Sequence, residues 1–380
     1  MPSLPRNLFL ALFLVTVPGM LFIGLYPFNY RPTNQVSWIE DEKGIRFDER
    51  GQAVVTVGSD WPWEGYTGEP FTMELVLRSS KTYNRRIPHI MALCDRSGRE
   101  VAYFGQWKDS FIIRLMDNTS WIKKISREIG AGNLLIPGVK TLLTLVFNNN
   151  SVELYSGGKR VRRYDNLDLI PFMMNGPVRT IIFGNSAAGD SPWKGDILGF
   201  SVIKGKLDPN TVRDRYASWF GDGNGSPTDD DNMLILYKFD NHNGRKIPNI
   251  AGESWHLLLP ETLTPVRREF LSLPSRQFLQ KRSFYEDAAI NLFGFVPMGL
   301  ILMGLLSRER KMRFTGSMML AISGGALLSL LIEVNQVFLV SRSSSATDLL
   351  LNILGTVLGV VLYKWGMKTA AHPPSLTSIE

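Results

Sequence analysis

The 380-residue chain has one cysteine, Cys94, and four histidines, His89, His242, His256 and His372. A single cysteine excludes an intrachain disulfide framework and every multi-cysteine metal site. Cys94 closes the apolar stretch 90–94 and reads as a small buried hydrophobe. The histidines show no ligand spacing, so no metal cofactor is expected. Neither residue type occurs between 284 and 366, which removes the usual nucleophile and general base from that region. The formal charge of +7 is spread along the chain, and several basic residues flank apolar runs. Membrane topology and anionic headgroups account for it, and no nucleic-acid partner is expected.

What the chain does have is long apolar runs at both ends. Near the C-terminus they are 288–306, 316–340 and 346–363. Crossing a hydrocarbon core takes about 20 apolar residues in a helix, so each can span. They nevertheless carry or adjoin Asp287, Asn291, Glu333, Asn335, Gln336, Asp348 and Asn352. Insertion scales put the cost of a carboxylate at a helix centre at roughly 2.5–3.5 kcal/mol, so such residues are rarely incidental. Two runs share a pattern, Asp287-x3-Asn291-x2-Gly294 and Asp348-x3-Asn352-x2-Gly355. Spacing of four places each Asp and its Asn on one helical face.

At the other end, 7–26 is apolar and runs into Tyr26, Phe28 and Tyr30. A cleaved signal would have a shorter core and end in small residues, so an uncleaved helix with an aromatic interface is predicted. Residues 36–260 have another texture, with short alternating apolar runs at 71–77, 100–104, 111–115, 140–147, 151–155, 179–183, 195–203 and 234–239. These read as strands, with Asn148-Asn149-Asn150 as a hairpin turn. Asp208-Pro209 opens one clear helix, 210–220, with Asp as its cap. Many short strands at regular spacing predict a two-sheet sandwich. Trp61, Trp63 and Tyr66 are candidates for stacking on a sugar. Asp229-Asp230-Asp231-Asn232 offers the oxygen ligands calcium takes, but without EF-hand spacing.

Residues 261–283 read as a basic linker. The loop after 306 carries Arg308, Arg310, Lys311 and Arg313, a cytoplasmic mark. It places the N-terminus inside, the sandwich outside, the loop 341–345 outside and the tail 367–380 inside. Asp287, Asp348, Glu333 and Gln336 then converge on the outer leaflet, with Asn291 and Asn352 one turn deeper at matching depth. Arg342 closes the outer mouth and offsets one acid. The expected fold class is a multi-domain membrane protein, an all-β jelly-roll sandwich joined to a four-helix α-helical transmembrane domain.

Two stretches carry family resemblances. Val152-Glu-Leu-Tyr-Ser-Gly-Gly-Lys159, then Ile182-Phe-Gly-Asn185, Pro192-Trp-Lys-Gly-Asp-Ile197 and a short helix resemble a laminin-G or concanavalin A-like jelly roll. That resemblance implies glycan or calcium binding, and the chain departs from it at Ser156, where Asn is usual. Asp287-x3-Asn291-x5-Pro297-x-Gly299, Glu333-x2-Gln336-x5-Arg342 and Asp348-x3-Asn352-x2-Gly355-x3-Gly359 resemble the VanZ-like membrane domain over 284–366, with 1–30 supplying a first helix. The resemblance implies a cell-envelope protein, VanZ being associated with low-level teicoplanin resistance. Three readings stay open. One is a non-enzymatic protein that engages a lipid or lipid-linked cell-wall precursor, with a lectin-like outer module for glycan or an envelope protein. Another is a membrane enzyme using Glu333 with Asp287 or Asp348 as an acid–base pair. The last is a structural module, whose polar residues hold helices together.

Overall fold

A computed structural model describes residues 5–56, 69–84, 86–117, 124–167, 169, 178–220, 232–240, 244–268, 270–273, 282–307, 313–340 and 342–371. The chain forms two compact units, Arg31–Arg267 and the combination of Met1–Tyr30 with Arg268–Glu380.

The first unit is a sandwich of two antiparallel sheets. One runs Val36–Trp38, Ile45–Phe47, Gly195–Lys204, Phe71–Ser79, Lys140–Asn148, Ser151–Ser156, Lys159–Asp165, with Met233–Tyr237 also paired to Gly195–Lys204. The other runs Lys246–Ile247, Leu257–Leu258, Ala53–Thr56, Thr180–Phe183, His89–Cys94, Glu100–Trp107, Ser110–Asp117, Lys124–Ala131. Alternation sets the core. Phe71, Met73 and Leu75 lie opposite Phe147, Leu145 and Leu143 across the ladder, and all six are buried between the sheets. A slip of one residue would turn them all outward. The expected turn is present, with Asn148 paired to Ser151. The unit continues past 260, because Leu263 is buried and the Val266 N–H donates to the Ala187 carbonyl.

Helix α2 (Pro209–Phe220, following α1 at Arg6–Leu25) covers the outer face of the first sheet. The Asp208 carboxylate accepts from the Asn210 N–H at 2.9 Å, the expected cap. On this face lies Glu74, fully buried. Its carboxylate receives Arg215 twice, at 2.8 and 2.7 Å, Ser201 at 2.7 Å and the Trp219 indole at 3.0 Å. Arg215 and Trp219 belong to α2, so this one carboxylate locks the helix to the sheet. Removing it leaves a half-buried guanidinium unpaired, a loss of about 3–5 kcal/mol.

Two more buried carboxylates lie on interior strands of the same sheet, Asp196 on Gly195–Lys204 and Glu153 on Ser151–Ser156. Burial by itself raises Asp196, but hydrogen bonds from Arg46 and Arg78 outweigh it and hold the carboxyl below its usual range. Burial also opposes ionisation of Glu153, and Tyr155, Arg160 and Lys206 overcome it. Depressed folded-state values stabilise the fold above the unfolded pKa, and that stability is lost as pH falls through the folded values. We therefore expect residues 31–267, expressed alone, to melt at a constant temperature from pH 7 to about 5 and at falling temperatures below about pH 4. Glu74→Ala should lower its unfolding free energy by about 3–5 kcal/mol in urea melts.

The second unit has α1 together with α3 (Arg282–Gly294), α4 (Val296–Leu306), α5 (Phe314–Gln336) and α6 (Ala346–Ala371). Four spans are long and apolar enough to cross a membrane, Arg6–Leu25, Phe284–Leu306, Phe314–Gln336 and Ala346–Met367. They make this a multi-pass membrane protein. The run expected as one helix over 288–306 is divided at Phe295, just ahead of Pro297, which has no N–H to give the preceding turn. Small residues let the backbones approach. A Cβ at Gly355 would collide with the Leu292 carbonyl, one at Gly359 with that of Val296, and one at Gly299 with that of Thr356. Gly355→Leu should therefore prevent α6 from packing on α3 and α4, read as loss of the monodisperse detergent-solubilised protein.

Candidate membrane site

Helices α5 and α6 run antiparallel and meet through a ladder at intervals of four residues. Glu333, Ser329 and Gly325 form one side; Asp348, Asn352 and Thr356 form the other. On the lowest rung Gly325 leaves just the room Thr356 fills, and the Thr356 hydroxyl donates to the Asn352 carbonyl at 2.9 Å. Above it the Asn352 amide donates to the Ser329 hydroxyl at 2.9 Å, both buried. The top rung holds the acids. Glu333, 1 % exposed, accepts the Ser345 N–H at 2.7 Å and interacts with the Ser344 side chain. Ser345 precedes α6, and its hydroxyl accepts the Asp348 N–H at 3.3 Å. That is the geometry of a helix cap, with Asp348 in the first turn where negative charge is favoured.

The repeated Asp-x3-Asn segments meet as follows. The Asn291 side chain interacts with the Asp348 carboxylate, which also feels the charges of Asp287 and Glu333. The two amides take different partners: Asn291 reaches Asp348 and Asn352 reaches Ser329. Side chains on a helix lean toward its N-terminus, so Asn291 points back up to the acid level. Depth is graded: Asp287 is exposed, Asp348 and Asn291 half-buried, Glu333 and Asn352 buried.

Arg342 does not offset an acid. Its guanidinium donates to the carbonyls of Tyr26 at 3.1 Å and Ile23 at 3.5 Å, the unpaired C-terminal end of α1. Four carbonyls there lack helical donors, and a cation suits the negative end of the dipole. Gln336 also serves α1, its amide donating to the Gly24 carbonyl at 2.9 Å. Asn335 turns back to the Leu331 carbonyl of its own helix. Nearby cations are engaged too, Arg282 with Glu286 at 2.8 Å and Arg268 over the Phe338 ring. Among the described residues, no cation pairs with Asp287, Asp348 or Glu333.

Residues 270–273, expected as structureless linker, dock on the loop that covers Glu333. The Ser272 N–H and hydroxyl both donate to the Ser344 carbonyl, at 2.9 and 2.8 Å. The Leu271 N–H reaches the Ser344 hydroxyl at 3.1 Å, with Leu271 in the left-handed region at φ 51°. Ser329, Thr356, Ser344 and Ser345 escaped the sequence reading. Ser329 and Thr356 stood one turn from Glu333 and Asn352, so spacing of four could have found them. Nothing in the sequence pointed to the serine loop.

In the sandwich, Trp61, Trp63, Tyr66 and most of the run 229–232 lie outside the described residues. What is present is an open groove of about 830 Å³, lined by Ser37, Trp38, Glu40, Asp41, Arg46 and Arg78 among others. Among the described residues no cluster of His, Cys, Asp and Glu is arranged to hold a metal.

A chain with four membrane-spanning helices and a two-sheet sandwich is a multi-pass membrane protein carrying a separate β module. Its residues 239–367 match the family model described as VanZ/LLP1. The match begins well before 284 and takes in the last strands of the sandwich. No curated protein matches the chain. Similar solved structures include the binding domain of botulinum neurotoxin DC in complex with SialylT, at 16% identity and TM-score 0.38, covering 49% of this chain and 45% of that one. Another is the binding domain of Paraclostridial Mosquitocidal Protein 1, at 14% identity and TM-score 0.37, covering 50% and 47%. This chain spans less than half the length of either.

If the Ser329–Asn352 rung ties the helices together, single substitutions to Ala at the two positions should not add. A double-mutant cycle on unfolding from detergent should give a coupling of about 0.5–1.5 kcal/mol.

Proposed function

We propose that the membrane unit engages the headgroup of a lipid or lipid-linked glycan at the outer leaflet, with Asp287, Asn291, Asp348 and Glu333 as its recognition surface. One observation carries this reading: three carboxylates, graded from exposed to buried, share one end of the helices without a cation among the described residues. Charge at that depth is costly unless something compensates it. The serine loop meets Glu333 through neutral donors only, which bring no counter-charge of their own. The reading places this end of the unit outside, as the basic loop 308–313 suggests.

The sandwich serves, in this reading, as a lectin-like module. The groove around Trp38 supports it, since acids, arginines and an aromatic edge suit a hydroxyl-rich ligand. An acid–base role for Glu333 is less well supported, because its carboxylate is occupied in holding the Ser345 amide. Interhelical glue is favoured for the Ser329–Asn352 amide hydrogen bond and the Gly325–Thr356 contact, which are buried. These two roles are compatible, with packing below and recognition above.

Purifying the full chain from membranes and identifying the co-purified lipids tests the proposal. Wild type should retain a distinct lipid, and Glu333→Gln with Asp348→Asn should lose it while remaining inserted and monodisperse. An unchanged lipid profile would sink the site. A reporter fused after Val340 should lie outside and one after Gly366 inside; the reverse would place these acids on the cytoplasmic leaflet.

A further inference from the structure

We infer that the group recognised at this site is a protonated primary amine, a refinement that rests on the headgroup reading above. The argument starts from which valences are unfilled. Asp287 has no hydrogen-bonding partner among the described residues, and the hydrogen-bond partners of Asp348 are the neutral Asn291 and Ser345. Below them the Asn352 side chain is 3 % exposed; its amide nitrogen is committed to Ser329, while its Oδ1 is buried without a partner. An unpaired buried acceptor costs about 1–3 kcal/mol, so it marks a place where a donor is missing. Asn352 stands one turn beneath Asp348 on the same face of α6, in the seam that Glu333 and Ser329 line from α5. Every unfilled position is thus an oxygen acceptor, and two of the acceptors are carboxylates.

The missing partner must bring positive charge and more than one N–H. A metal ion fits poorly, since the described acids do not converge as a ligand set. A quaternary ammonium carries charge but no donor, and is held by aromatic faces rather than oxygens. A guanidinium is a flat fork, suited to two oxygens of one carboxylate. Here the acceptors lie at successive depths, Asp287 at the rim, Asp348 between and Asn352 at the floor. An ammonium on a flexible stem, with three diverging N–H donors, matches such a set. Its source is either an amine-bearing lipid headgroup or a free amine, and both present the same chemistry.

Native mass spectrometry of the detergent-solubilised full chain tests this. The probes are phosphatidylethanolamine, phosphatidylcholine of the same acyl chains, and free ethanolamine. Phosphatidylethanolamine should bind roughly tenfold more tightly than phosphatidylcholine, about 1.4 kcal/mol. Asp348→Asn and, independently, the exposed Asp287→Asn should each shrink that ratio. Displacement by millimolar ethanolamine would assign recognition to the amine itself, and resistance to it would assign recognition to the amine as part of a lipid. Equal binding of the two lipids, lost in Glu333→Gln, would overturn the amine and leave the headgroup reading standing. Binding of neither lipid would remove both. Selectivity that survives both Asp→Asn variants would place the amine elsewhere and overturn the assignment.

Discussion

Hydrocarbon offers no hydrogen bonds, so every polar group carried into the membrane must find its partner within the protein. That constraint organises the helical unit. Gln336 and Arg342 are spent on the carbonyl end of α1, Ser317 on the Leu306 carbonyl, and Ser307 on Tyr363 at the opposite end. Between the ends the helices approach through glycine, where no side chain intervenes. Once these obligations are met, the acids at one end stand out as groups whose charge no described residue answers. The site is defined by subtraction, after packing and helix ends have taken their share.

Much of this was legible in the sequence, because the two solvents of the chain write different periods. Strands such as Phe71–Ser79 alternate since one face meets the other sheet, and spans read as unbroken apolar runs since lipid surrounds them. Lys159–Asp165 was missed because it is an edge strand, all but one of its residues exposed and most of them charged, the composition that protects an edge from pairing. The short strands Ile45–Phe47 and Leu257–Leu258 have too few residues to show a period. In the site, Asp287, Asn291, Glu333, Asp348 and Asn352 were legible because acids and amides in apolar runs are rare. Arg342 was misassigned because its distance in sequence from the acids says nothing about α1, whose carbonyls compete for the same guanidinium. Ser344 and Ser345 act largely through backbone groups, and a backbone amide has no signature in sequence.

Two buried glutamates in this chain show why burial alone does not make a site. Glu74 is fully enclosed, yet a bidentate arginine, an indole and a hydroxyl fill its oxygens. Its charge is neutralised within the fold and its lone pairs are taken, so nothing is left for a ligand and the residue is structural. Glu333 is as deeply buried, but a backbone amide and a serine are its partners, and the charge that reaches it, Asp348, is of the same sign. A sandwich can bring Arg215 to Glu74 because α2 is free to carry any residue on its inner face. Arg342 follows Glu333 by only nine residues, yet its guanidinium goes to the carbonyls of α1. Among the described residues the unit thus spends its nearby arginine on α1 and leaves the acids without a cation.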